Sequence, residues 1–136
     1  MTRVVVAPLT EFPPGERRIV EVGGRSIGVF RVGDDFYAIR NRCPHQGGPL
    51  CLGALAPPVS SSGPRDLRIG DGPMLIACPW HGWEYDVSTG QSFMGPRAAG
   101  VKSYDVRVEP GELVPGPYVA ETFPVRVEED YVVLEA

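Results

Sequence analysis

The chain has 136 residues, with 17 glycines, 15 prolines, 22% charged and 43% hydrophobic side chains, and a formal net charge of −4. That length suits one domain over residues 1–136 with a single modest core, and the negative balance argues against nucleic acid as a partner. No run approaches the ~18 apolar residues of a membrane span, and residues 1–9, followed by Glu11, are too weakly apolar for a secretory signal, so no membrane contact and a cytoplasmic location are expected.

Residues 2–7 are rich in β-branched side chains and read as a first strand. Arg17–Val22 and Arg25–Val32 flank Gly23-Gly24, a strong hairpin signal. Residues 36–41 follow the turn residues Gly33, Asp34 and Asp35 and read as a fourth strand. Residues 52–72 carry Pro57-Pro58, Ser60, Ser61, Ser62, Gly63-Pro64 and the charged pair Arg65-Asp66. They read as a long polar surface loop, which is tolerated because closure entropy grows slowly with length. Residues 74–77 and 83–86 lead into and out of a short loop, residues 87–90 form a turn, and residues 91–94 return. Residues 104–109 and 123–128 share an alternating pattern, and residues 131–134 close a final hairpin through Glu129-Asp130. No segment holds a helical period over two turns. The expected fold is all-β, a small antiparallel sandwich or barrel, with the loops around Cys43 and Cys78 forming a subdomain over about 41–96.

Chemistry concentrates in Cys43-Pro44-His45 and Cys78-Pro79-Trp80-His81. Both histidines of the chain lie within three residues of two of its three cysteines. Two thiolates and two imidazoles suit either a tetrahedral zinc or a [2Fe-2S] cluster in which two histidines replace two cysteines on one iron. Structural zinc sites space their ligands as C-x2-4-C and H-x3-5-H, and neither pattern is present. In Cys43-x-His45 an extended chain points both side chains to one side. Cys78-x-x-His81 needs a turn, one φ angle of which Pro79 presets. Gly47-Gly48 and Gly82 allow close backbone approach and curved loops whose N–H groups face anionic sulfides. The cluster is the favoured reading, and a zinc-stabilised binding module is the lesser one. Cys51 has no partner left and reads as a small buried hydrophobe.

The run C-P-H-x-G-x-P-L followed by C-P-W-H-G-W-x-Y-D-x-x-T-G resembles the Rieske iron–sulfur family over about residues 41–96. The resemblance implies Cys43 and Cys78 on an inner iron, and His45 and His81 on an outer, more exposed one. The chain departs from the family in several places. His45 and Cys78 are separated by 32 intervening residues, longer than is usual. The two positions that carry a disulfide in respiratory members correspond to Gly48 and Trp80, so that bond is absent. A serine that donates to sulfide in those members is Trp83 here, which points to the low end of the Rieske range, on the order of −150 mV. Gly95-Pro96 stands where the family has a third, proline-bearing loop. Pro49-Leu50 with Trp80, Trp83 and Tyr85 would form apolar walls around the iron; Trp83 and Tyr85 alternate along a strand and read as core more than docking surface, with Trp80 at a loop tip.

That resemblance implies a one-electron carrier, a Rieske-type ferredoxin moving electrons from a reductase to an oxygenase or another redox partner. An oxygenase needs a further mononuclear iron on two histidines and a carboxylate, and both histidines are already committed. The chain is therefore expected to be an electron-transfer component and not an enzyme. The alternative is a small accessory subunit of a larger reductase, such as an assimilatory nitrite reductase. Mild acidity reads first as solubility, and second as an acidic face for docking a basic reductase.

Overall fold

The computed structural model describes residues 2–57, 59–63, 66–69, 74–93, 100–112 and 128–136. Its strands are β1 (Arg3–Pro8), β2 (Arg17–Val22), β3 (Arg25–Val32), β4 (Asp35–Arg40), β5 (Ala54–Ala56), β6 (Val59–Gly63), β7 (Asp66–Ile69), β8 (Leu75–Ala77), β9 (Glu84–Asp86), β10 (Ser103–Glu112) and β11 (Glu128–Glu135). Two 3-10 turns occur at Leu9–Glu11 and Leu50–Leu52. Six strands form an antiparallel sheet in the order β1-β11-β10-β4-β3-β2, whose edge strands β1 and β2 approach each other. A second sheet orders β5-β8-β9, and β6 pairs with β7. No helix among the described residues is long and apolar enough to cross a membrane.

β3 and β4 carry the architecture because both of their faces are covered. Ile27 and Val29 of β3 and Ala38 of β4 pack with Phe12, Val132 and Leu134 inside the six-stranded sheet. Phe30 and Ile39 point the other way and pack with Leu50, Cys51, Ile76 and Tyr85 beneath the cysteine loops. Period-2 alternation puts successive side chains on opposite faces, so two cores share one pair of strands. Gly28 lies on the second face. A Cβ there would fall 2.5 Å from Cys51 Sγ and 2.6 Å from its Cβ. Gly28→Ala should therefore overpack the site by about 1–3 kcal/mol, lowering the urea midpoint, and an added Cys51→Gly should recover most of the loss.

The β2–β3 hairpin has the expected bounds, with Gly23 and Gly24 at φ 58° and 77°. Three expectations need correction. Glu129 and Asp130 are not a turn: they sit inside β11, opposite Gly111 and Pro110, because β10 runs on to Glu112 and extends the ladder. The stretch 52–72 is not featureless, since β5 pairs with β8 and β6 with β7. Strands of three residues are too short for alternation to reveal them. Of the returning stretch expected at 91–94, the described residues 91–93 form no strand and contribute the isolated bridge Tyr85 to Ser92. The strand expected at 123–128 and the proline loop at Gly95-Pro96 lie outside the described residues, apart from Glu128, which begins β11.

Candidate metal centre

Asn41, at the end of β4, aims the first cysteine loop. Its N–H donates to the Ser26 carbonyl at 2.9 Å, its Nδ2 to Ser26 Oγ at 3.2 Å, and its Oδ1 accepts from the Cys51 N–H at 2.8 Å. The chain then closes on itself. The Cys43 N–H donates to the Gly48 carbonyl at 2.9 Å, and the Gly47 N–H to the Cys43 carbonyl at 2.7 Å. The second loop repeats the frame, with Cys78 N–H on the Trp83 carbonyl and Gly82 N–H on the Cys78 carbonyl, both at 2.8 Å. Gly47 and Gly82 hold matching positions at φ 79° and 74°, a left-handed conformation that costs other residues about 1–2 kcal/mol. The extended geometry expected for Cys43-x-His45 is therefore wrong: residues 44–46 form a turn, closed by the Gly47–Cys43 bond.

These frames bring all four candidate donors together. Cys43 and Cys78 are buried in the lower core. His45 is half-buried and His81 exposed, with ring centroids 4.8 Å apart in an edge-to-face contact. The Trp83 indole stacks on the His45 ring at 4.0 Å and 8°, fixing its orientation. Trp83 is thus a wall of the site, as the sequence suggests, and it also packs against the lower core. At Gly48 a Cβ would meet the Trp80 ring at 2.8 Å and Cys78 Sγ at 3.0 Å, so the two cysteine loops touch here through indole and glycine.

His45 Nδ1 is buried without a hydrogen-bond partner. A buried polar nitrogen left unpaired is costly, and metal ligation would satisfy it. The donors fall into an inner thiol pair and an outer imidazole pair. A two-iron cluster takes two protein ligands at each end, which matches that sorting. Cys51 stands apart from this set. Its Sγ donates to the Ile39 carbonyl at 3.6 Å. Burial pushes its pKa up to about 12, against the lowering effects of the Gly28 backbone hydrogen bond and the Arg17 charge.

The family model for the Rieske [2Fe-2S] domain matches residues 2–105. The chain belongs to that family. This Rieske chain is 32% identical over 109 residues to ferredoxin CarAc of Metapseudomonas resinovorans, covering 79% of the chain and 87% of the relative. The solved ferredoxin of carbazole 1,9a-dioxygenase from Nocardioides aromaticivorans IC177 superposes with a TM-score of 0.59 at 32% identity, over 80% of this chain and 91% of that one. A putative NADH-dependent nitrite reductase small subunit from Mycobacterium tuberculosis superposes with a TM-score of 0.63 over 99% and 96% of the two chains, at 17% identity, which speaks to the fold alone. The cofactor is a Rieske-type [2Fe-2S] cluster.

One contact of the Rieske site was not legible in the sequence. Tyr85 is wholly buried, as a core residue should be, yet its hydroxyl lies 3.4 Å from Cys43 Sγ. Burial raises its pKa well above the ordinary tyrosine value, and the Cys43 hydrogen bond and the charges of Cys43 and Cys78 raise it further. The phenol therefore keeps its proton and can donate to a thiolate. Alternation on β9 places Tyr85 inward, but nothing in sequence spacing pairs it with Cys43, 42 residues away.

Proposed function

We propose that Cys43 and Cys78 bind the inner iron and His45 and His81 the outer one, in a chain that acts as one domain across residues 1–136. Its function in this reading is one-electron transfer in the cytoplasm, as a ferredoxin between a reductase and an oxygenase. The observation that carries the assignment is the sorting of the donors: both thiols are buried, and the imidazoles lie outward with an unpaired Nδ1 on His45. The cluster supplies reversible one-electron chemistry when bound. The residues around it do the rest. Leu50, Ile76 and Val87 exclude water from the thiol side, Trp83 holds the His45 ring, and His81 presents an exposed edge to a partner. The 32% identity to a carbazole dioxygenase ferredoxin supports an oxygenase as electron acceptor.

Visible absorbance and EPR of the purified protein, with iron and sulfide analysis, test this reading. A Rieske signal with two irons and two sulfides per chain is expected, and a colourless, folded protein with one zinc would overturn it. The second reading is an accessory subunit of a larger reductase. Stable co-purification with a large redox partner is the outcome that favours it.

Tyr85 opposes the low potential that the missing serine suggests. A hydrogen bond to a thiolate ligand strengthens as the cluster gains negative charge, so it stabilises the reduced form. At about 0.5–1.5 kcal/mol for the bond, and 59 mV per factor of ten for one electron, Tyr85→Phe should lower the midpoint potential by roughly 20–60 mV. Spectroelectrochemical titration measures this directly, and an unchanged or raised potential contradicts the donor role.

A further inference from the structure

Beside the first cysteine loop lies an open depression of about 280 Å³, lined by Arg40, Arg42, Pro44, Gly100, Val101 and Lys102. Three of these residues are cations, in a chain whose net charge is −4. Arg42 and Lys102 are exposed and Arg40 is half-buried. The backbone forces two of them together. The Arg40 N–H donates to the Lys102 carbonyl at 2.9 Å, continuing the register in which Ile39 faces Ser103. Two like charges thus stand directly opposite each other, an arrangement that destabilises a sheet.

Elsewhere four arginines find carboxylates, Arg3 with Glu109, Arg18 with Glu16, Arg31 with Asp34 and Arg107 with Glu135, while Arg17 and Arg25 donate to backbone carbonyls. Among the described residues none of Arg40, Arg42 and Lys102 has such a partner. The depression also adjoins the electron-transfer end, because its wall residue Pro44 lies between Cys43 and His45. With a screening length of about 8 Å at physiological salt, an approaching surface responds mainly to the charges it touches. The charged side chains lining the depression are all cationic, opposite in sign to the net charge of the chain.

We propose that this depression docks a carboxylate-rich face of the protein that exchanges electrons with the cluster. The inference rests on the Rieske reading and adds the sign of the partner's surface. It replaces the acidic docking face suggested by composition with a basic one beside the ligand loop. A protein face fits better than a small free anion, since the depression is open and two of its cations reach into solvent.

Visible absorbance of the holo-protein first reports the cluster, so a failure of the Rieske reading is seen separately. Reduced protein is then mixed in a stopped flow with anionic ferricyanide or with cationic cobalt tris-phenanthroline. Oxidation by ferricyanide should slow as salt rises, and oxidation by the cationic complex should quicken. Arg42→Gln combined with Lys102→Gln should slow ferricyanide about tenfold at low salt, within the range of electrostatic steering. The same pair should weaken binding of a fluorescein-labelled hexaglutamate peptide about fivefold by anisotropy, whereas Arg3→Gln with Arg107→Gln, already neutralised by glutamates, should not. The opposite salt dependences, or peptide binding indifferent to the Arg42 and Lys102 changes, overturn the proposal. So does inorganic phosphate that fills the site without displacing the peptide, which would make it a small-anion pocket.

Discussion

His45→Ala should abolish the Rieske absorbance and EPR signal while the far-ultraviolet circular dichroism of the sheet persists. Two features of the site separate these outcomes. His45 Nδ1 is buried and unpaired, with the ring held flat against Trp83, so alanine removes a donor that no neighbouring group replaces. Even outer groups that merely orient a metal ligand are worth about 10–100-fold in metal affinity, and loss of the ligand itself should exceed that. The core built on Phe12, Ile27, Val29, Val132 and Leu134 includes neither histidine nor cysteine, so the six-stranded sheet has its own reason to survive. His81→Ala should erase the same signal with less effect on stability, because His81 is exposed. An unaltered EPR spectrum in either variant would falsify the ligand assignment.

Gly53→Ala should be the most damaging single methyl that this chain can receive near its site. Gly53 has φ −75° and ψ 173°, a backbone conformation open to any residue, so its side-chain-free state is a matter of room. A Cβ there would lie 1.8 Å from the Ala77 carbonyl oxygen and 2.8 Å from its carbon. Backbone cannot swing aside as a flexible side chain does. The Gly53 carbonyl also accepts from Arg17 Nη1 at 2.6 Å, and the same nitrogen donates to the Cys51 carbonyl at 2.8 Å. One displacement therefore breaks the β5–β8 pairing and loosens the clamp joining the 3-10 turn at Leu50–Leu52 to β2. A loss of about 3 kcal/mol, the upper end of ordinary overpacking, is expected in urea unfolding, together with poor cluster retention. Gly33→Ala provides the contrast. Gly33 has φ 61° and open space around it, so only the left-handed penalty of about 1–2 kcal/mol applies. Equal effects at the two positions would show that crowding at Gly53 is relieved by local movement.

What sequence could reveal followed from how local its causes are. The β2–β3 hairpin was legible because Gly23-Gly24 is a two-residue turn whose backbone demands are met on the spot. The four candidate donors were legible because their residue types are scarce and doubly paired. The closing hairpin at Glu129-Asp130 misled, since two acidic residues resemble a turn until a long partner strand runs past them. The strand β5 stayed hidden because Ala54-Leu55-Ala56 gains its strand character only by lying beside β8. Tyr85 was correctly placed inward, yet its contact with Cys43 belongs to tertiary geometry. Trp83 packs against the lower core as its alternation suggests, while its stacking on the His45 imidazole belongs to tertiary geometry.

The sharing of β3 and β4 between two interiors has a mechanical consequence. An element that is packed on both sides cannot tilt toward one without prying open the other, and close-packed interiors resist such strain. The iron end is therefore anchored without a joint of its own. Shuttling a charge on and off such a mounting should demand little movement of surrounding atoms, which suits a component whose task is repeated quick handover.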